Sequence, residues 1–135
     1  MTETNNTKGR FDVLFGTLCE IQKGLLENTV KVAGFSVIAI GWLATSDYTQ
    51  RLLRADKTLR YLVVAATGGA FALYVVASLK AFAISQQSLS LLNKLNFMPL
   101  DYYKNRSIDA PVLIVYIAGN LFLSLLVALL VLRMR

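Results

Sequence analysis

The sequence contains no histidine and a single cysteine, Cys19. Haem usually takes an axial histidine, structural zinc takes several cysteine or histidine ligands, and iron-sulfur clusters take about four thiolates. A single thiol also excludes a disulfide bond within the chain. We therefore expect no metal site and no cofactor held by the side chains of this chain alone.

The sequence also lacks an evident catalytic set. The usual pairs of nucleophile and base need histidine, and no convergent set of acidic residues emerges along the chain. Ser78 or Ser85 with Lys80 would form a serine–lysine pair, but almost any helical chain of this size contains one. We expect the protein not to be an enzyme. Scattered acidic residues include Asp12, Glu20, Glu27, Asp47, Asp56, Asp101 and Asp109.

Charged residues make up 16% of the sequence, whereas 56% of it is hydrophobic and the mean hydropathy is +0.54. This is more apolar than a soluble domain normally is, so we expect lipid to surround part of the chain. The net charge is +6. Because lysine and arginine lie beside the hydrophobic blocks instead of forming one patch, anionic lipid headgroups are favoured as partners over nucleic acid.

Three apolar segments are each long enough to cross a bilayer, whose hydrocarbon core is covered by about 20 helical residues. Before the first of them, apolar residues recur every three or four positions, which is typical of an amphipathic helix. The sequence predicts an all-α integral membrane protein, with one membrane domain over residues 1–135. Its predicted segments are a disordered tail (1–9), an amphipathic helix (10–24), three transmembrane helices (25–45, 61–79 and 110–132) and an amphipathic extension of the second to about residue 95.

The predicted connections are polar or basic. Residues 47–60 combine basic side chains with leucines, which predicts a short surface helix. Pro99 disfavours helix at the preceding residue, so residues 96–107 are predicted as the main loop. Pro111 suits the first turn of the third span. A signal peptide is a competing interpretation of the first apolar run, but a leader of about thirty residues with mixed charge precedes that run.

The distribution of lysine and arginine predicts the orientation of the spans. More of these residues lie on the amino-terminal side than on the other, which favours a cytoplasmic amino terminus. Trp42, Tyr48 and Tyr61 are expected at one membrane interface, and Tyr102 with Tyr103 at the other. The amino-terminal side has Lys8, Arg10, Lys23, Lys31, Lys80, Lys94, Lys104 and Arg106, and the other side has Arg51, Arg54, Lys57, Arg60, Arg133 and Arg135.

Polar residues inside the third span form one stripe. Tyr116, Asn120 and Ser124 are spaced four apart and therefore share a helix face. Such a stripe either hydrogen-bonds to another helix or lines a narrow polar pathway, and the first arrangement is the commoner one. Both interpretations remain open from the sequence.

Small residues cluster on the second span and recur on the first. Their spacing of four allows the backbones of two helices to approach closely, as in small-xxx-small motifs. They are expected to pack either within this chain or against another subunit. The set consists of Ala66, Gly68, Gly69, Ala70 and Ala72 on the second span, and of Gly34 with Gly41 on the first.

Together these features favour a non-catalytic membrane subunit, which packs within a larger complex or assembles with copies of itself in a bacterial cytoplasmic membrane. Its expected partners are membrane lipids and other integral membrane subunits. One alternative is a homo-oligomeric pore lined by Tyr116, Asn120 and Ser124. Another is a membrane anchor whose surface helices recruit a cytosolic protein.

Overall fold

The structure, a computed structural model, describes residues 2–95, 100–104 and 107–134, with the backbone alone for 2–7, 100 and 101. It is nearly all helical, at 95%. Three of its helices are long and apolar enough to cross a membrane, namely α1 within its range 8–45, α3 and α5. In chain order the helices are α1 (Thr2–Thr45), α2 (Asp47–Ala55), α3 (Lys57–Leu95), α4 (Leu100–Lys104) and α5 (Ala110–Arg133).

Helix α1 joins the predicted amphipathic helix and the predicted first span in 44 continuous residues. No proline interrupts this range, so the backbone hydrogen bonds of the helix continue through it. At about 1.5 Å per residue it is roughly 66 Å long, about twice the thickness of a hydrocarbon core. The segment 1–9, predicted as a disordered tail, differs from the structure because α1 already begins at Thr2.

A pair of side-chain caps forms the corner between α1 and α3. Ser46 caps α2, and its Oγ accepts a hydrogen bond from the backbone N–H of Thr49 at 3.3 Å. The Gln50 amide donates to the carbonyls of Leu43 and Ala44 at 3.0 and 3.1 Å, which satisfies exposed acceptors at the end of α1. Surface helix α2 thus lies where the sequence predicts a short helix.

Asp56 starts helix α3. Its Oδ1 accepts hydrogen bonds from the backbone N–H groups of Thr58 and Leu59, at 2.8 and 3.3 Å, as an N-cap residue does. Helix α3 therefore begins at Lys57, before the apolar run at Tyr61, and it continues to Leu95. Within the predicted loop 96–107 the structure has helix α4, while residues 96–99 and 105–106 lie outside the described residues.

Buried residues recur at intervals of three, four and seven along α3 and α5, as in a coiled-coil seam. In α3 the buried positions Tyr74, Ser78, Ser85 and Ser88 are followed by Leu92. In α5 they are Leu113, Asn120, Ser124, Val127 and Val131. Small and polar side chains thus occupy much of the inward face of α3.

The contacts divide the chain into two compact units. The first unit comprises Met1–Glu27 with Ala77–Ile114, and the second comprises Asn28–Val76 with Val115–Arg135. The sequence predicts a single membrane domain, so this division is finer than the prediction. Helices α1, α3 and α5 each contribute a segment to both units.

The first unit contains an aromatic cluster formed by α1 and α4. The Phe11 ring lies 5.8 Å from that of Phe15 and 6.2 Å from that of Tyr103, and Phe15 stacks on Tyr102 at 6.0 Å. Tyr103 is fully buried. Tyr102 is exposed, whereas the Tyr103 ring packs in the interior of the unit. The location of both residues at a membrane interface stays a prediction.

The second unit has an aliphatic core of Leu43, Leu53, Val127 and Val131. Leu53 of α2 belongs to this core, so the surface helix packs onto the ends of the long helices. The unit exposes large apolar side chains elsewhere, including Phe35, Ile38 and Trp42. Tyr48 and Tyr61 are exposed as well.

Candidate functional site

The small residues of α3 spread over about half of the helix circumference. Ala66, Gly68, Gly69, Ala70 and Ala72 are all exposed, whereas the side chains of the intervening Thr67 and Phe71 are partly buried. A Cβ atom added at Gly68 or Gly69 would meet no other atom within 4 Å. Packing within the described part of the chain therefore does not require these glycines. We call the five small residues the α3 small-residue face.

The glycines of α1 have similar surroundings. Gly41 is exposed and Gly34 is partly buried, and a Cβ added at either would also meet no other atom within 4 Å. The two glycines are seven residues apart and share a helix face. Like the α3 small-residue face, they are not explained by close contacts among the residues that the structure describes.

The polar stripe of α5 faces inward. Asn120 is 2% exposed and Ser124 is 9% exposed, while Tyr116 is partly buried. The Asn120 Nδ2 donates a hydrogen bond to the carbonyl of Tyr116 at 3.1 Å, within the same helix. The Asn120 Oδ1 has no hydrogen-bond partner among the described residues. One interpretation from the sequence is a hydrogen bond from this stripe to another helix. The Asn120 amide nitrogen instead donates to a carbonyl of its own helix.

A cleft of about 310 Å³ in the second unit brings two predicted site residues together. Ala70 of the α3 small-residue face and Ser124 of the stripe both line it. Its other polar groups are the hydroxyls of Ser36 and Thr67, which donate to carbonyls of their own helices at 3.0 and 2.9 Å. Since these two hydroxyl protons are occupied, the cleft is suited to an apolar group. Its remaining lining residues are Val32, Phe35, Ala39, Phe71 and Val127.

A hydrogen bond between two long helices was not anticipated from the sequence. The hydroxyls of Thr29 in α1 and Tyr74 in α3 lie 2.9 Å apart. Tyr74 is buried and Thr29 is partly buried, and a polar group in such a position needs a partner because apolar side chains provide none. The three- and four-residue spacing of inward-facing residues along a helix is the sequence signal that could have identified Thr29 and Tyr74 as a pair.

Other buried hydroxyls of α3 have a different environment. Ser78 and Ser85 are each 1% exposed, and their Oγ atoms have no hydrogen-bond partner among the described residues. Both belong to the first unit, as does Lys80, which is exposed. No hydrogen bond joins Lys80 to either serine in this part of the structure. A serine–lysine pair is therefore not assembled here.

Among the described residues, no group of three or more histidine, cysteine or acidic side chains is placed to hold a metal ion. The candidate contact sites in the described residues are the α3 small-residue face, the glycines of α1 and the buried polar residues of α3 and α5. Comparison of the chain with protein families, curated proteins and solved structures gives no match.

Proposed function

We propose that this protein is a non-catalytic subunit of a membrane assembly, in which its helices pack against other integral membrane subunits or against copies of itself. The α3 small-residue face is the observation that carries the proposal. It lies on a helix that is apolar enough to span a bilayer, and it is exposed in the isolated chain. Burial of apolar surface drives helix association weakly in lipid, so close backbone approach at small residues becomes a main source of affinity.

The location that we propose is a bacterial cytoplasmic membrane, with the amino terminus in the cytoplasm. Three long apolar helices support the membrane location. The larger number of lysine and arginine residues on the amino-terminal side supports the orientation. Membrane lipids are then the surrounding partners of the exposed side chains Phe35, Ile38 and Trp42.

The pore alternative is less well supported than the subunit proposal. A pore between copies needs its lining residues on the outer surface of each copy. Asn120 and Ser124 are buried within the single chain instead. The anchor alternative requires surface helices with an uncovered apolar face. In the first unit Leu18, Leu92 and Tyr103 are buried in the isolated chain, whereas Val13 and Leu91 are exposed, so the unit supports this alternative only in part.

Bulky substitutions on the α3 small-residue face test the subunit proposal. Gly68→Leu with Ala72→Leu should weaken association about tenfold or more, because added side chains keep two backbones apart. The measurement is native mass spectrometry of the full chain after mild solubilisation, which reports copies and bound membrane subunits. The matched control is Ala118→Leu, an exposed alanine of α5, which should leave the assembly intact.

Two results would overturn the proposal. One is a wild-type chain that is monomeric and carries no integral membrane partner. The other is an assembly that persists unchanged in the variant with Gly68→Leu and Ala72→Leu, since contact at the α3 small-residue face would then be unnecessary.

A further inference from the structure

Three basic side chains of the second unit line one concave surface. Arg54 of α2 and Lys57 with Arg60 of α3 surround a space of about 720 Å³, together with Tyr61 and Leu132. Arg54 and Lys57 are exposed, and Arg60 is partly buried. We call Arg54, Lys57, Arg60, Tyr61 and Leu132 the basic pocket.

Arg60 is held in place by the end of the chain's last helix. Its Nη1 donates a hydrogen bond to the backbone carbonyl of Met134 at 3.0 Å. A guanidinium group has five N–H donors, so this bond leaves donors for a further acceptor. Arg60 therefore provides an oriented cation at the base of the pocket, between α3 and the residue that follows α5.

The basic pocket carries positive charge from Arg54, Lys57 and Arg60. No described carboxylate forms an ion pair with Arg54, Lys57 or Arg60. The acid closest in sequence is Asp56, whose Oδ1 is engaged by the backbone N–H groups of Thr58 and Leu59. A ligand with negative charge is complementary to this arrangement, and a phosphate group matches both guanidinium and ammonium donors.

The surroundings of the pocket favour a lipid over a soluble anion. Helix α3 enters its apolar run here, and the next side chains, Tyr61 and Leu62, are 67% and 61% exposed. Leu132, which also lines the pocket, is 42% exposed. A soluble anion needs none of this apolar surface, whereas a phospholipid covers it with its glycerol and upper acyl carbons while its phosphate contacts the cations.

We propose that the basic pocket binds the phosphate headgroup of an anionic phospholipid. This inference rests on the proposed membrane location, but it does not depend on the proposed assembly. The α3 small-residue face and the basic pocket share no residue, so each is tested by its own variants.

The test measures phospholipid retention by the full chain in neutral detergent, using native mass spectrometry. Phosphatidylglycerol is compared with phosphatidylcholine, for the wild type and for a variant with Arg54→Gln and Lys57→Gln. Each basic residue near an anionic lipid strengthens binding about fivefold, so we expect the variant to bind phosphatidylglycerol roughly 25-fold more weakly. Phosphatidylcholine binding should change little. Both substitutions leave the hydrogen bond of Arg60 in place.

The matched control is a variant with Lys80→Gln and Lys94→Gln. Both lysines are exposed and lie on the same helix α3, but in the first unit. The control removes the same charge and should keep phosphatidylglycerol binding within about twofold of the wild type. An equal loss in both variants would overturn the proposal, because the attraction would then be a diffuse effect of net charge.

A competition arm separates the two sources of phosphate. Millimolar inorganic phosphate should not displace phosphatidylglycerol from the wild-type chain. Complete displacement would overturn the assignment to a lipid and indicate a site for soluble anions.

Alkaline extraction of native membranes tests the membrane location separately. Release of the wild-type chain would contradict the membrane location on which this proposal rests. A chain that is retained in the membrane, is monomeric and binds phosphatidylglycerol through Arg54 and Lys57 would contradict the subunit proposal alone.

Discussion

The two units of this chain expose different kinds of surface. In the first unit, Phe11 packs on the buried Tyr103, while charged residues such as Asp12, Lys23 and Lys80 lie outside. In the second unit, the segments 32–45, 61–76 and 115–132 contain no charged residue. Large side chains such as Phe35 and Ile38 lie outside instead. The first unit thus exposes charged side chains as well as apolar ones such as Val13 and Leu91, whereas the uncharged segments of the second unit have the surface expected of helices in lipid.

Polar residues occupy the interior seams of both units, with Ser78 and Ser85 in the first and Asn120 and Ser124 in the second. In water, apolar side chains collect inside because their exposure is unfavourable. In lipid, apolar side chains are equally well placed outside, so small and hydrogen-bonding residues take the contacts between helices. Thr29 with Tyr74, and Asn120 with Ser124, follow the second rule.

The largest effect that we predict is on the aromatic cluster of the first unit. Tyr103→Ala should lower the free energy of unfolding by about 3–5 kcal/mol, because it leaves a cavity at a fully buried ring. Chemical unfolding in detergent, followed by near-ultraviolet circular dichroism, measures this change. If the first unit were held by lipid instead of its own aromatic core, the loss would be well below 1 kcal/mol.

Two control variants sharpen this prediction. Tyr103→Phe keeps the ring and removes a hydroxyl that has no hydrogen-bond partner among the described residues, so stability should stay equal or rise. Tyr48→Ala removes an exposed ring of the second unit and should cost less than about 0.5 kcal/mol.

A smaller effect is expected at the hydrogen bond between α1 and α3 in the second unit. Thr29→Val keeps the shape of the side chain but removes its bond to the buried Tyr74 hydroxyl, so it should cost about 1 kcal/mol. The same unfolding measurement reports the change. The matched control is Thr45→Val, whose hydroxyl bonds to the carbonyl of Gly41 in its own helix at an exposed position. Equal costs for both variants would contradict a special role for the interhelical bond.

The spans could be predicted from the sequence because hydropathy and length alone decide them. Helix α5 begins at Ala110 as predicted, since Pro111 fits its first turn and the Asp109 carbonyl accepts the N–H of Leu113 at 3.0 Å. Helix α3 begins at Lys57, before the predicted start of the second span at Tyr61. Hydropathy indicates where the apolar segment begins. The helix itself begins earlier, because the Asp56 side chain caps its first backbone N–H groups.

The directions in which side chains face could not be predicted as well. In a helix that is apolar all round, hydropathy does not distinguish the inner from the outer face. The stripe at Asn120 could therefore have lined a pore or an interior seam. Likewise, an aromatic residue in a predicted loop suits either a membrane interface or a core, and the contact of Tyr103 with Phe11 depends on residues far apart in the sequence.

The central proposal is that the apolar helices of the second unit lie in lipid and the charged surface of the first unit lies in water. Spin labels at Val13 and Ile38 test it in a Cys19→Ser chain reconstituted into liposomes. Both positions are on α1, at 69% and 70% exposure, in the first and second units respectively. Collisions with oxygen and with a water-soluble nickel chelate are then compared. We predict that the label at Ile38 contacts oxygen and that at Val13 contacts nickel; equal access of the nickel chelate to both labels would contradict the claim.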